Sequence, residues 1–161
     1  MKTELPERKP NRLLEYDYSE TGAYFITVCT KNREPLLSRV VAGEKLDTPC
    51  TVVLTSIGIA VDGAIRDITE HYRGVHAAKY VIMPNHIHML LYIQKRNDSS
   101  VSVSRIIKEF KTRVTKQIGA PIWQKSFYDH IIRNQEDYDM RYRYIENNPA
   151  NWLLRRDEYY L

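Results

Sequence analysis

The chain reads as an α+β fold, an antiparallel sheet with two helices on one face and a further helix near the C-terminal end. Three observations carry this reading. Residues 56–72 and 102–119 repeat apolar residues at helical spacing. The stretches before, between and after them are β-branched or aromatic runs of strand length. The resulting order is β-α-β-β-α-β-α, and its first six members match the split βαβ, ferredoxin-like pattern.

Residues 1–22 are polar and carry Pro6, Pro10 and the basic cluster Arg8, Lys9 and Arg12, which predicts an irregular basic arm. Residues 24–30, from Tyr24 to Thr30, form a strand that Lys31-Asn32-Arg33-Glu34-Pro35 ends. Residues 36–55 give a weak pattern, and a short strand at 51–54 is the one element it suggests. Ile57, Val61, Ala64, Ile65, Ile68 and Tyr72 then define a helix, with Ser56 as its cap and Gly74 as its stop. Strands follow at 75–83 and 86–94, broken at Pro84-Asn85, and residues 94–100 are a polar linker. Val103, Ile106, Ile107, Phe110, Val114 and Ile118 line one side of the second helix. Arg105, Lys108 and Lys111 share another side, which suits either a solvated face or phosphate contacts. A strand at 126–133 leads to a last helix over 135–147, with Asn134 as cap, Asp137 at the capping-box position and Pro149 ending it.

At 161 residues the chain has the length of a single domain. Its 43% apolar and 27% charged residues are those of a soluble globular protein, and no apolar run is long enough to span a bilayer. No secretory signal pattern opens it. Cys29 and Cys50 lack CxxC spacing, so both read as small buried residues in a reducing, cytoplasmic setting. A net charge of +4 and a pI near 9.0 lean towards a polyanionic partner. Twelve Tyr against three Phe point the same way, since tyrosine stacks on bases and bonds phosphates.

Chemistry concentrates at His86-Ile87-His88. On a strand, residues two apart leave the same face, so the two imidazoles emerge together, about 7 Å apart at Cα. That is half of a metal site, and equally the pattern of two buried, hydrogen-bonded histidines. In the last helix, Tyr138, Tyr142 and Ile145 share a packing side. Tyr144 lies elsewhere, with Asp137, Arg141 and Asn148 at helical neighbour spacing. Alone, that face is an ordinary polar surface with an exposed tyrosine.

Three segments together are more specific. They are Met83-Pro84-Asn85-His86-Ile87-His88, then Trp123-Gln124-Lys125-Ser126-Phe127-Tyr128-Asp129-His130-Ile131-Ile132-Arg133-Asn134, and then Asp137-Tyr138 with Tyr144-Ile145-Glu146-Asn147-Asn148-Pro149. In these the chain resembles the HUH single-tyrosine transposases, of the REP-associated type, over most of residues 12–152. The resemblance implies that His86 and His88 are metal ligands, Tyr144 the nucleophile and Asn148 the third protein ligand. It implies Mg²⁺ or Mn²⁺, Mn²⁺ being the better match to two imidazoles. The substrate would be single-stranded DNA beside a hairpin, cut and rejoined through a 5′-phosphotyrosine. His130 matches a family position and would support the site. Arg12, Lys31 and Arg33 lie where the family holds DNA, with Lys108, Lys111 and Arg141 as further basic candidates. A monomer is expected, since Asn134 follows the last strand directly; a homodimer exchanging the tyrosine helix is the alternative. Two other readings stay open: a hairpin-binding module without catalysis, and a metal phosphodiesterase that uses water.

Overall fold

A computed structural model describes residues 22–94 and 101–159, with side chains as far as Arg155. The basic arm with Arg12, and residues 95–100 of the polar linker, lie outside the described residues. The first strand, β1 (Gly22–Cys29), therefore begins inside the stretch read as arm. There follow β2 (Ser38–Val41), β3 (Thr51–Leu54), α1 (Ser56–His71), β4 (Val75–Ile82), β5 (His86–Ile93), α2 (Val103–Ile118), β6 (Tyr128–Ile132) and α3 (Gln135–Tyr159).

The main sheet has the order β4-β5-β1-β6, and every neighbouring pair in it is antiparallel. This is the arrangement the split βαβ pattern predicts. Tyr24, Ile26, Val28, Ile87, Met89, Leu91 and Ile93 pack on one side against Val61, Ala64 and Ile65 of α1 and Ile106, Ile107 and Phe110 of α2. Each such buried aliphatic side chain contributes about 1.5–3 kcal/mol of burial. The opposite face is covered by α3, where Phe25, Leu90 and Ile145 form a smaller cluster with Tyr138 and Tyr142 packed on it. β5 is thus buried on both faces, which is why it reads as a nearly continuous apolar run.

The weak stretch at 36–55 is a two-stranded ribbon, with β2 paired to β3. Its alternate residues are half-buried or exposed, so it carries little periodic signal. Thr55, not Ser56, caps α1: its Oγ1 accepts from Gly58 N at 3.1 Å, and it also donates to Leu36 O and Leu37 O. Gly58 is needed there, because a Cβ would fall 1.9 Å from Leu37 O. Ser102 caps α2 through Arg105 N, and Gly119 at φ +82° ends it, within the range read as the second helix. Asn134 caps α3 through Asp137 N at 2.8 Å. Pro149 does not end that helix, which runs through it to a kink at Arg155 (φ −128°) and is followed as far as Tyr159. Proline removes the bond to the carbonyl of Ile145, but one turn further on Trp152 is buried to 4% exposure, and that anchor offsets the loss. Cys29 and Cys50 are free and half-buried rather than fully buried. Among the described residues no helix is long and apolar enough to cross a membrane.

Lys111 has a structural task. Its Nζ donates to the carbonyls of Gln124 at 2.8 Å and Ser126 at 3.1 Å, tying α2 to the loop before β6. Lys111→Met is expected to lower stability by about 2 kcal/mol, the scale of charge-assisted hydrogen bonds. Denaturant unfolding checks it, and unchanged stability would refute this structural task.

Candidate active site

The site is built where the start of β5 meets α3. Pro84 and Asn85 form the tight turn between β4 and β5, closed by Met83 N donating to His86 O at 2.8 Å. Surrounding backbone clamps the turn: Thr30 N donates to Asn85 O and Leu37 N to Pro84 O, both at 3.0 Å. The Asn85 side chain is buried. Its Nδ2 reaches Arg33 O, and its Oδ1 sits 2.7 Å from His86 Nδ1. An amide oxygen can only accept, so His86 carries its proton on Nδ1 and presents Nε2 for coordination. His88 lies opposite Thr27 on β1, and its Nδ1 is 2.8 Å from the Thr27 hydroxyl. Both rings are thus oriented through Nδ1, the arrangement by which protein groups fix ligating histidines. Their ring centres are 4.6 Å apart.

α3 brings the other half. Tyr144 is 41% exposed, and its ring meets His88 at 5.3 Å and Phe25 at 5.9 Å between centres. Asn148, one turn on, is fully buried beside His86. Neither atom of its carboxamide makes a well-formed hydrogen bond among the described residues. A buried amide in that state is costly, and a water or a cation could satisfy its oxygen. Trp152, a further turn on, closes the His86 side with ring centres 6.1 Å apart. Among the described residues no three His, Cys, Asp or Glu side chains converge as a metal site; the Asn148 oxygen beside His86 is a group that could act as a third donor.

Arg141 and His130 flank this centre. Arg141 lies over the Phe25 ring. Its Nε donates to Asp137, whose other oxygen accepts from His130 Nε2 at 2.7 Å. Asp137 therefore serves these two side chains rather than the reciprocal capping bond its position suggested. Burial raises the Asp137 pKa, but its bonds to His130 and Arg141 outweigh this and hold it below the usual value. Lys31 and Arg33 are exposed on the single 3₁₀ turn (Lys31–Arg33) after β1, with Asn32 at φ +56° and Arg33 at φ +53°. They stand at the His86 end, and the Arg33 charge reaches that ring. Lys108 and Lys111 ride on α2, across the sheet from the histidines.

Sequence reasoning gave no role to Thr27, Phe25, Asn85 or Trp152. Thr27 and Phe25 become visible only once β1 is registered against β5. Trp152 follows Asn148 at helical spacing, and the expected stop at Pro149 hid it.

Burial pushes the His86 pKa down to about 4; the Arg33 charge adds to this, while Asn148 opposes it. Burial, then the His86 and Arg141 charges, push His88 well below its ordinary value too. Above pH 6.5 both rings are neutral, folded or unfolded, and cost nothing. As the pH falls below 6.5 the unfolded chain binds protons that the folded rings refuse, so stability drops by about 1.4 kcal/mol per pH unit per ring. The fall from His86 ends near pH 4, where the folded ring protonates as well, after about 3 kcal/mol. Denaturant melts of the metal-free protein from pH 7 to 4 should show this loss. A double His86→Gln, His88→Gln variant with the same pH slope would refute its origin.

Residues 19–148 match the family described as Transposase IS200 like, and the chain belongs to that family. Within it, some relatives are REP-associated tyrosine transposases. The chain is 29% identical to a REP-associated tyrosine transposase of Escherichia coli (strain K12), over 83% of this chain and 69% of that one. It is also 29% identical to an uncharacterized protein of Haemophilus influenzae, over 96% of this chain and 93% of that one. A solved structure of a REP-associated tyrosine transposase bound to a REP hairpin covers 87% of this chain and 73% of its own, with TM-score 0.66 and 25% identity. The resemblance read from the three sequence segments holds at the level of family and fold.

Proposed function

We propose that this protein cuts and rejoins single-stranded DNA beside a hairpin by transesterification at Tyr144, with Mg²⁺ or Mn²⁺ held by His86, His88 and Asn148. The observation that carries the reading is the fully buried Asn148 carboxamide without a well-formed hydrogen bond, set beside two histidines already oriented through Nδ1. The relative bound to a REP hairpin supports a DNA hairpin as the partner.

The donor set fits a divalent ion, since two imidazoles and an amide oxygen are neutral ligands that leave room for phosphate oxygens. When bound, the ion would polarise the phosphate and ease departure of the 3′-oxygen. The depressed histidine pKa values leave both rings unprotonated at neutral pH, so protons do not compete for the site. Tyr144 Oη forms a bond to phosphorus as the bond from phosphorus to the 3′-oxygen breaks. The phenol gives up its proton to solvent and the 3′-oxygen gains one. The product is a 5′-phosphotyrosine and a free 3′-hydroxyl. The ester bond is kept, so a second 3′-hydroxyl reverses the step and joins strands without a nucleotide cofactor. The connection of β6 to α3 by Arg133 and Asn134 alone supports use of the chain's own tyrosine, as in a monomer.

The test is covalent capture. The protein is incubated with Mn²⁺ and a pool of DNA hairpins carrying randomised single-stranded flanks, then run on a denaturing gel. A slower, nuclease-sensitive protein band is the expected result. Nicked DNA without that band means that water is the nucleophile. Binding without either product means a recognition module.

A further inference from the structure

Arg141 stands three residues before Tyr144 on α3. Its guanidinium carbon lies 5.1 Å from the centre of the Phe25 ring, which also stacks on His88 at 5.1 Å. Its side chain is only 25% exposed. Of its three nitrogens only Nε is engaged, donating to Asp137 Oδ1 at 3.5 Å. Among the described residues its two terminal nitrogens carry no hydrogen bond. Asp137 does not hold Arg141 alone, because its Oδ2 accepts from His130 Nε2 at 2.7 Å. His130 comes from β6, where it is the register partner of Phe25. A strand residue therefore braces a helix carboxylate, which fixes the base of the guanidinium and leaves the fork open. A planar fork with two donors matches two non-bridging oxygens of a phosphate.

We infer that Arg141 holds the non-bridging oxygens of the phosphate that Tyr144 attacks, and that Asp137, braced by His130, is the positioning residue that aims it. This rests on the reading of Tyr144 as nucleophile. While the bond from Oη to phosphorus forms and the bond to the 3′-oxygen breaks, the non-bridging oxygens remain negative. Arg141 supplies fixed positive charge at those oxygens and transfers no proton, because a guanidinium does not deprotonate in proteins.

The experiment pairs variants with a neutralised phosphate. The flank that the wild type selects from the randomised pool is synthesised with either an ordinary phosphodiester or an uncharged methylphosphonate at the cut position. Single-turnover adduct formation is then measured with Mn²⁺. Arg141→Ala should lose roughly 10²-fold in rate on the phosphodiester, the scale of removing one charge-stabilising donor. On the methylphosphonate it should react within a few-fold of the wild type, because the charge it served is gone. Asp137→Asn should lose about 10-fold on the phosphodiester, a smaller effect than Arg141→Ala and likewise absent on the methylphosphonate. The comparison is internal to each variant, so a partly unfolded preparation lowers both rates alike. Equal losses on both substrates, or no loss in Arg141→Ala, overturn the inference while leaving the nucleophile intact. Absence of any adduct from the wild type overturns the nucleophile reading, and this inference with it.

Discussion

Tyr144→Phe is expected to abolish covalent capture of DNA while hairpin affinity stays within a few-fold of the wild type. The substitution removes one oxygen and keeps the ring that packs edge-on against Phe25 and His88. Folding stability should therefore change by less than about 0.5 kcal/mol. Adduct formation should fall by at least about 10⁴-fold, the scale of losing a nucleophile. Tyr138→Phe and Tyr142→Phe should keep both binding and cleavage, since those rings pack on the cluster under α3. Persistent adduct in Tyr144→Phe would assign the nucleophile to another residue. Nicking without adduct in the same variant would assign it to water.

The second large effect concerns the metal. His88→Ala should weaken Mn²⁺ binding by about 10²-fold or more in calorimetry and remove cleavage with it. Asn148→Leu replaces the buried amide by a larger apolar side chain that offers no donor oxygen, so metal affinity and adduct formation should be lost together. Equal Mn²⁺ affinity in wild type and His88→Ala would remove the metal assignment.

What the sequence made legible follows from where periodic signals are strong. α1, α2 and β5 each bury a continuous stripe or run, so their type and approximate ends could be read directly. The β2–β3 ribbon buries little and left almost no pattern. Pro149 misled because proline's local cost is visible in a sequence, while the burial of Trp152 that offsets it is a tertiary fact. The same division holds at the site. His86 and His88 share a face by strand geometry, and Tyr144 and Asn148 by helix geometry, so each half could be derived alone. Their meeting depends on how α3 crosses the sheet. That Asn85 and Thr27 orient the rings depends on a turn clamp and a strand register that no local pattern encodes.

The two halves of the site stand on elements of unequal permanence. β5 is paired on both edges and buried on both faces, so its amides can exchange with solvent only when the whole sheet opens. α3 rests instead on the small cluster of Phe25, Leu90 and Ile145, apart from the main core. An opening confined to α3 would carry Tyr144, and any strand bonded to it, away from histidines that keep their arrangement. Under the proposed function, a severed DNA end bonded to Tyr144 would then travel with the helix as a leash rather than a clamp, while the paired histidines on β5 keep their place.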